Sequence, residues 1–153
     1  ALTVETVVEM YEKVEMVTAI KEATGELDVA SGIAAACDIV ILSGDDSLTF
    51  PIGAVGGKGV ISVLANILPG EIRSLCDAMS GGDMNAAREK HLQLMPLFKG
   101  MFAETNPIPI KAAMAMAGMI EEELRLPLVP LADEHREPLK KMLADFGVET
   151  GTS

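Results

Sequence analysis

Asp38-Ile39-Val40-Ile41-Leu42-Ser43, followed at once by Gly44-Asp45-Asp46, is the stretch on which the fold turns. A nearly continuous aliphatic run of strand length, stopped by a glycine and two aspartates, is the pattern of a parallel strand covered on both faces. Working back from it, Leu27 to Cys37 is a small-residue helix with Asp28 in its first turn. Before that helix, Met16-Val17-Thr18-Ala19-Ile20 is a β-prone run with Lys21 at its C-terminal end, closed by the loop Glu22-Ala23-Thr24-Gly25. Val4 to Lys13 reads as a helix, with Val4, Val7, Val8 and Tyr11 recurring at helical spacing. Working forward, Ser47 to Val55 is a short helix despite Pro51 and Gly53, and Gly56-Gly57-Lys58 is a turn. Gly59-Val60-Ile61-Ser62-Val63 is a third strand. Lys21 to Ser43 is 22 residues and Ser43 to Ser62 is 19. Regular alternation at this spacing predicts βα units, a parallel sheet and an α/β fold.

The rest of the chain is helical in pattern. Pro69 to Met79 puts Ile72, Leu75, Cys76 and Met79 on one face, with Pro69 suited to a first turn. Gly81-Gly82-Asp83 breaks the chain and offers Asp83 as an N-cap. Met84, Ala87, His91, Leu94, Phe98 and Met101 form one long stripe that contains Pro96. A further helix carries Ile110, Ala113, Met114 and Ala117 and ends at Gly118. Arg125 to Leu131, with two prolines, should be extended, and Leu139, Met142, Leu143 and Phe146 mark a last helix closed by Gly147. The expected divisions are 1–67 for the strand-bearing βα units, 68–148 for the C-terminal helices and 149–153 for a frayed tail. Three strands alone would leave two open, very apolar edges, which are aggregation sites. Either another chain completes them, or this sequence is part of something larger.

Composition narrows the function classes. The chain has 153 residues, about the length of one ordinary domain, and 49% are apolar, enough for a core. Its net charge of -11 repels phosphates and argues against nucleic acid or an anionic membrane as partner. Two histidines and two cysteines, far apart and in no Cys-x-x-Cys pair, supply no zinc spacing, so no metal is expected. Cys37 and Cys76 read as reduced packing residues, which points to a cytoplasmic protein. Ala1 to Glu5 shows no targeting pattern, and the apolar run Ile108 to Ile120 is too short to span a bilayer.

Candidate sites follow from the strand ends. Val17, Ala19 and Lys21 alternate onto one side of their strand. An amine at the end of an aliphatic row sits in apolar surroundings, and burial disfavours an ammonium, as a Schiff-base nucleophile requires. The competing reading is a strand-end lysine whose head snorkels to water. Asp45 and Asp46 offer a Mg²⁺ site or an acid–base pair, but helix capping explains both without a ligand. Gly56-Gly57-Lys58-Gly59 is no phosphate loop, since Ile52 stands where the first glycine belongs and Gly59 where Ser or Thr belongs. His91 reads as a core or interface residue, Glu121-Glu122-Glu123 as a solvated face or linker, and no Gly-x-Ser-x-Gly is present.

Taken together, the strand ends carry a family likeness. Ile20-Lys21-Glu22-Ala23-Thr24-Gly25 resembles the Schiff-base lysine motif of the dihydrodipicolinate synthase / N-acetylneuraminate lyase family. Leu42-Ser43-Gly44-Asp45-Asp46 resembles the next strand of its synthase branch, and Gly56-Gly57-Lys58-Gly59-Val60-Ile61-Ser62-Val63 with Ala65-Asn66 the last. Asn106-Pro107-Ile108-Pro109-Ile110-Lys111 and Leu124-Arg125-Leu126-Pro127 match further stretches, so the likeness runs over residues 4–148.

The resemblance implies strands six to eight of a (β/α)8 TIM barrel plus its C-terminal helices. It implies a lyase of the lysine and diaminopimelate pathway that needs no cofactor and condenses pyruvate with aspartate semialdehyde. Lys21 would be the imine-forming nucleophile at the barrel mouth. Ile61 would offer a backbone carbonyl to pyruvate, and Gly44 and Asp45 would line the mouth. The family's catalytic tyrosine, its proton-relay hydroxyls and its carboxylate-binding arginine have no counterpart here, and Tyr11 lies in a helix. The chain therefore resembles a C-terminal half whose partner is the N-terminal half of the barrel. General acid–base help is worth about 10²–10⁴ in rate, so the isolated chain is expected to turn over negligibly. A homotetramer is implied for the full barrel, with Leu27 and Val55 near its contacts. Two other readings stay open: a related pyruvate aldolase with a different acceptor, and a non-catalytic half-barrel acting as a structural or regulatory subunit.

Overall fold

The computed structural model describes residues 1–151, so the last two residues of the expected tail lie outside the described residues. The chain divides into two compact units that interleave along the sequence. The first holds Ala1–Ser62 and Glu71–Leu92; the second holds Val63–Gly70 and the chain from Gln93 on.

In the first unit, helix α1 (Val4–Lys13) starts where the Thr3 side chain accepts from the Thr6 N–H. Glu5 in its first turn and Lys13 in its last complement the helix dipole. Strand β1 (Ala19–Glu22), helix α2 (Leu27–Ala36) and strand β2 (Val40–Ser43) follow. A 3-10 turn over Asp46–Leu48 leads into helix α3 (Thr49–Ala54), where Pro51 sits in the first turn and lacks no needed N–H. Strand β3 is Gly59–Val60. Helix α4 (Pro69–Ser80) begins at the proline, and α5 (Met84–Gly100) at the Asp83 cap, whose carboxylate accepts from the Ala86 N–H at 3.0 Å.

The three strands are parallel in the order β1-β2-β3. Lys21 lies opposite Leu42, Glu22 opposite Ser43, Leu42 opposite Gly59 and Ser43 opposite Val60. One face of this sheet is packed. Val7 from α1, Ala30 and Ile33 from α2 and Ile52 from α3 close over Ile39 and Ile41, and Tyr11 and Ile20 join them. The other face is open, with Ala19 and Lys21 exposed, Val40 39% exposed and Ile61 beyond β3 49% exposed. The run at β2 is thus covered on one face, not on both as its aliphatic composition suggests. What would cover the second face is not among the described residues.

The strands are also shorter than expected. Met16 is 91% exposed in a turn, with the Val17 N–H donating to the Val14 carbonyl, so β1 starts only where β2 runs beside it. β3 stops at Val60, and residues 61–63 lie outside the strand, ahead of a 3-10 turn over Leu64–Asn66.

In the second unit, Leu94, Leu97, Phe98 and Met101 of α5 are buried, as are Ile108, Ile110, Ala112 and Ala113 of α6 (Ile108–Met116) and Leu139 and Leu143 of α7 (Asp133–Asp145). Helix α6 ends toward Gly118 (φ 69°) and α7 toward Gly147 (φ 74°), where a left-handed residue lets the chain turn off the helix. The peptide bonds before Pro107 and Pro127 are cis. Glu122 is not a solvated charge: its carboxylate accepts from Arg136 at 2.6 Å with both side chains largely covered. Glu104 likewise accepts from the Ala132 N–H at 2.9 Å, ahead of α7.

Replacing Asp83 by Ala should cost about 1 kcal/mol in urea unfolding, the worth of an N-cap. Ile33→Ala, which empties a fully packed site, should cost about 2–5 kcal/mol. Burial pushes the His91 imidazole below its ordinary value of 6.5. Its neutral form is favoured in the folded state, so stability is full above about pH 6.5 and falls as pH drops toward the lower folded value. The urea midpoint should decline as pH falls below about 6.5, and His91→Gln should flatten that decline.

Candidate functional site

Parallel strands in register present their C-terminal ends at one level. The register puts Lys21, Leu42 and Gly59 on the open face. Continuing the alternation adds Ala23, Gly44 and Ile61 to the same face. The ends are tied by backbone hydrogen bonds beyond the ladder. Gly44 N–H donates to the Glu22 carbonyl at 2.6 Å, and Ile61 N–H donates to the Ser43 carbonyl at 2.8 Å. Lys58 N–H donates to the Ile41 carbonyl at 2.8 Å, so the Gly56-Gly57-Lys58 segment is the turn that delivers β3.

Lys21 is exposed, in contrast to the apolar surroundings expected for it. The reason is the open face: no further strand among the described residues stands beside β1 to wall in the amine. A cleft of about 280 Å³ lies along this free edge, lined by Ile20, Lys21, Glu22, Ala23 and Thr24 with Val7, Val29 and Ile33 from the helices. The Lys21 stem runs against Gly44. A β-carbon built on Gly44 would stand 2.8 Å from Lys21 Cε and 2.5 Å from the Ala23 Cβ.

Glu22, next to the lysine, points the other way and is 3% exposed. Its Oε1 accepts from the Thr24 N–H at 2.7 Å and from Thr24 Oγ1 at 2.5 Å, while Oε2 has no hydrogen-bond partner among the described residues. Sequence reasoning places Glu22 in a loop and misses this clasp. The signal available was the period-two rule itself: if Lys21 faces one side, its neighbour in the strand faces the other.

Asp45 does what capping requires. Its Oδ1 accepts from Ser47 N–H at 3.1 Å and Ser47 Oγ at 2.9 Å, and Ser43 Oγ donates to the Asp45 carbonyl at 2.7 Å. Asp46 is buried at 1% exposure. Among the described residues no group of three His, Cys, Asp or Glu is placed to hold a metal ion. His91 packs its ring against Phe50, centroids 5.5 Å apart, and Tyr11 packs in the helix-side core, so neither stands with Lys21 at the strand ends. Among the described residues, no helix is long and apolar enough to cross a membrane.

Chemically, the arrangement is a primary amine held at the C-terminal end of a parallel strand, beside a glycine and an open apolar face. A primary amine is chemically able to attack a carbonyl, and among the described residues no tyrosine or histidine stands beside this one.

Known proteins bear on this geometry. Residues 1–146 match the dihydrodipicolinate synthetase family. The 4-hydroxy-tetrahydrodipicolinate synthase of Syntrophobacter fumaroxidans is 48% identical over 89% of this chain and 48% of its own length. The crystal structure of dihydrodipicolinate synthase from Aquifex aeolicus superposes with a TM-score of 0.95 at 41% identity, covering 98% of this chain and 52% of that one. The chloride-inhibited enzyme from Acinetobacter baumannii, solved in complex with pyruvate, gives 0.91 at 35% identity, covering 96% of this chain and 51% of that one. The chain thus spans about half the length of the relatives it matches. With a family match that runs from the first residue to within α7's closing turn, this chain belongs to the dihydrodipicolinate synthetase family.

Proposed function

We propose that this chain is the C-terminal half of a Schiff-base lyase that condenses pyruvate with aspartate semialdehyde, with Lys21 as nucleophile. The observation that carries the reading is the placement of Lys21: a lone amine on the open face, at the C-terminal end of a parallel strand. TIM barrels put their chemistry at that end of their strands. On this reading β1, β2 and β3 are barrel strands six, seven and eight, and the free edge of β1 pairs with a strand from the N-terminal half. The pyruvate complex of the Acinetobacter relative supports pyruvate as the first substrate.

The chemistry runs as follows. The Lys21 Nζ lone pair attacks the C2 carbonyl carbon of pyruvate, and the carbonyl π pair moves to oxygen. Proton transfer gives a carbinolamine, and loss of water gives the imine. Loss of a C3 proton makes an enamine, whose carbon attacks the aldehyde carbon of aspartate semialdehyde. Attack of the semialdehyde's own amine at C2 then displaces Lys21 and closes the ring. Ile61 contributes its backbone carbonyl near pyruvate, and Gly44 and Asp45 line the mouth. Asp45 acts through its hold on Ser47, which fixes the turn after β2. The proton transfers need side chains from the N-terminal half, so the isolated chain is at least about a hundredfold slower than the completed barrel. The complete protein is a cytoplasmic homo-oligomer, consistent with Leu27 at 36% exposure on α2.

Incubation with pyruvate and borohydride tests this. The chain should be trapped at Lys21 as the reduced secondary amine when joined behind the N-terminal half of the Syntrophobacter relative, and Lys21→Ala should abolish the adduct. Aspartate semialdehyde should be consumed by the joined protein and not by the chain alone. An unchanged adduct in Lys21→Ala, or none in the joined protein, would refute the nucleophile. Adduct without turnover in the joined protein would favour a non-catalytic half-barrel.

A further inference from the structure

We propose that Gly44 is a positioning residue for the Lys21 amine, acting through the β-carbon it lacks; the inference rests on the reading of Lys21 as nucleophile. Gly44 is not among the glycines with positive φ, so backbone conformation does not demand a glycine here. Space does. A β-carbon at Gly44 would meet Ala23 Cβ at 2.5 Å, Lys21 Cε at 2.8 Å and the Glu22 carbonyl oxygen at 3.0 Å. The first two are closer than real β-carbons approach their neighbours without something shifting, and the third is tighter than most such contacts.

Which neighbour yields decides the effect. The Glu22 carbonyl is fixed because it accepts the Gly44 N–H at 2.6 Å. Ala23 is fixed between that bond and the Glu22 clasp on Thr24, whose N–H and hydroxyl both donate to one buried carboxylate oxygen. The flexible member is the lysine stem. Any side chain at position 44 therefore pushes Cε, the atom that bears Nζ, off the β2 strand end. Gly44 thus acts as the missing wall of a slot: Ala23 and the Glu22 carbonyl form its rigid sides, and the Lys21 stem lies in the gap. A nucleophile must meet its carbonyl carbon at near-contact distance and in line. A displacement of about 1 Å is enough to cost on the order of a hundredfold in rate.

The test uses this chain joined behind the N-terminal half of the Syntrophobacter relative, with pyruvate and borohydride. The readouts are the rate of adduct formation at saturating pyruvate and the thermal midpoint. Gly44→Ala should slow trapping on the order of ten- to a hundredfold. Ala23→Gly placed in that background removes the 2.5 Å conflict and leaves the 2.8 Å one with Lys21 and the milder 3.0 Å contact with the Glu22 carbonyl. The double variant should regain the thermal midpoint but not the trapping rate. Trapping that recovers together with the midpoint would make Gly44 a packing residue and overturn the proposal. So would wild-type trapping in Gly44→Ala, or failure of both variants to fold. No adduct in the unaltered protein would instead remove Lys21 as the nucleophile, and the positioning role with it.

Discussion

The pairing of Lys21 with Leu42 and of Glu22 with Ser43 in a parallel ladder is the constraint from which the rest follows. Parallel partners share a face, so one register decides both packing and chemistry. Burying Ile41 and Ser43 under α1, α2 and α3 sends Glu22 to the same side, and Lys21 and Gly44 to the other. A slip of one residue would put the amine into the helix-side core and the carboxylate at the strand ends. Glu22 in its observed place has one carboxylate oxygen, Oε1, held by the N–H and hydroxyl of Thr24 two residues on. The local hydrogen bond and the hydrophobic pattern therefore select the same register, and consistency across levels is what singles out one fold.

Much of this is legible in the sequence. The aliphatic run at β2, the alternation of helix and strand, the proline start of α4 and the Asp83 cap all have local causes, and local causes can be read from a string. The glycine ends at Gly118 and Gly147 are of the same kind. The strand lengths are not local. β1 loses Met16 to Thr18 and β3 loses Ile61 to Val63 because a strand is defined by its neighbour, and neighbours are set by tertiary structure. Glu22 reads as a loop residue for a related reason. Carboxylates are rarely buried, and only the spatial closure of Thr24 onto its oxygen makes burial tolerable. The close approach of Gly44 to Lys21 joins residues far apart in the chain, so periodicity alone does not reveal it. Lys21, Gly44 and Asp45 stand out in the sequence at strand ends and Ile61 only through the family resemblance, but their mutual placement comes from the ladder.

The open face bears on what the chain is for. Aliphatic residues at Val40 and Ile61 that are 39% and 49% exposed gain nothing from water, and two unpaired strand edges invite further strands. A sheet meant to stand alone blunts its edges with charge or proline; here the edge strand β1 carries its only cation on the open face, and the edge strand β3, Gly59–Val60, has neither charge nor proline. The 153 residues look like one ordinary domain by length alone. A complete barrel takes about 250 residues, and relatives about twice as long as this chain have that room.

Division of the site along the same line has a chemical consequence. The slot that aims Lys21 is built wholly within this chain, from β1, the Glu22–Thr24 clasp and Gly44. On the proposed reading, water exclusion and proton relay would come from elsewhere, because among the described residues the face that holds the amine is bare. Aim and reactivity are separable properties with separate structural owners. Aim costs only local packing and survives in a half-barrel, whereas reactivity requires walls on every side of the amine. On the proposed reading, an isolated C-terminal half would keep Lys21 in place and still lack turnover, so absence of turnover alone would not count against the placement.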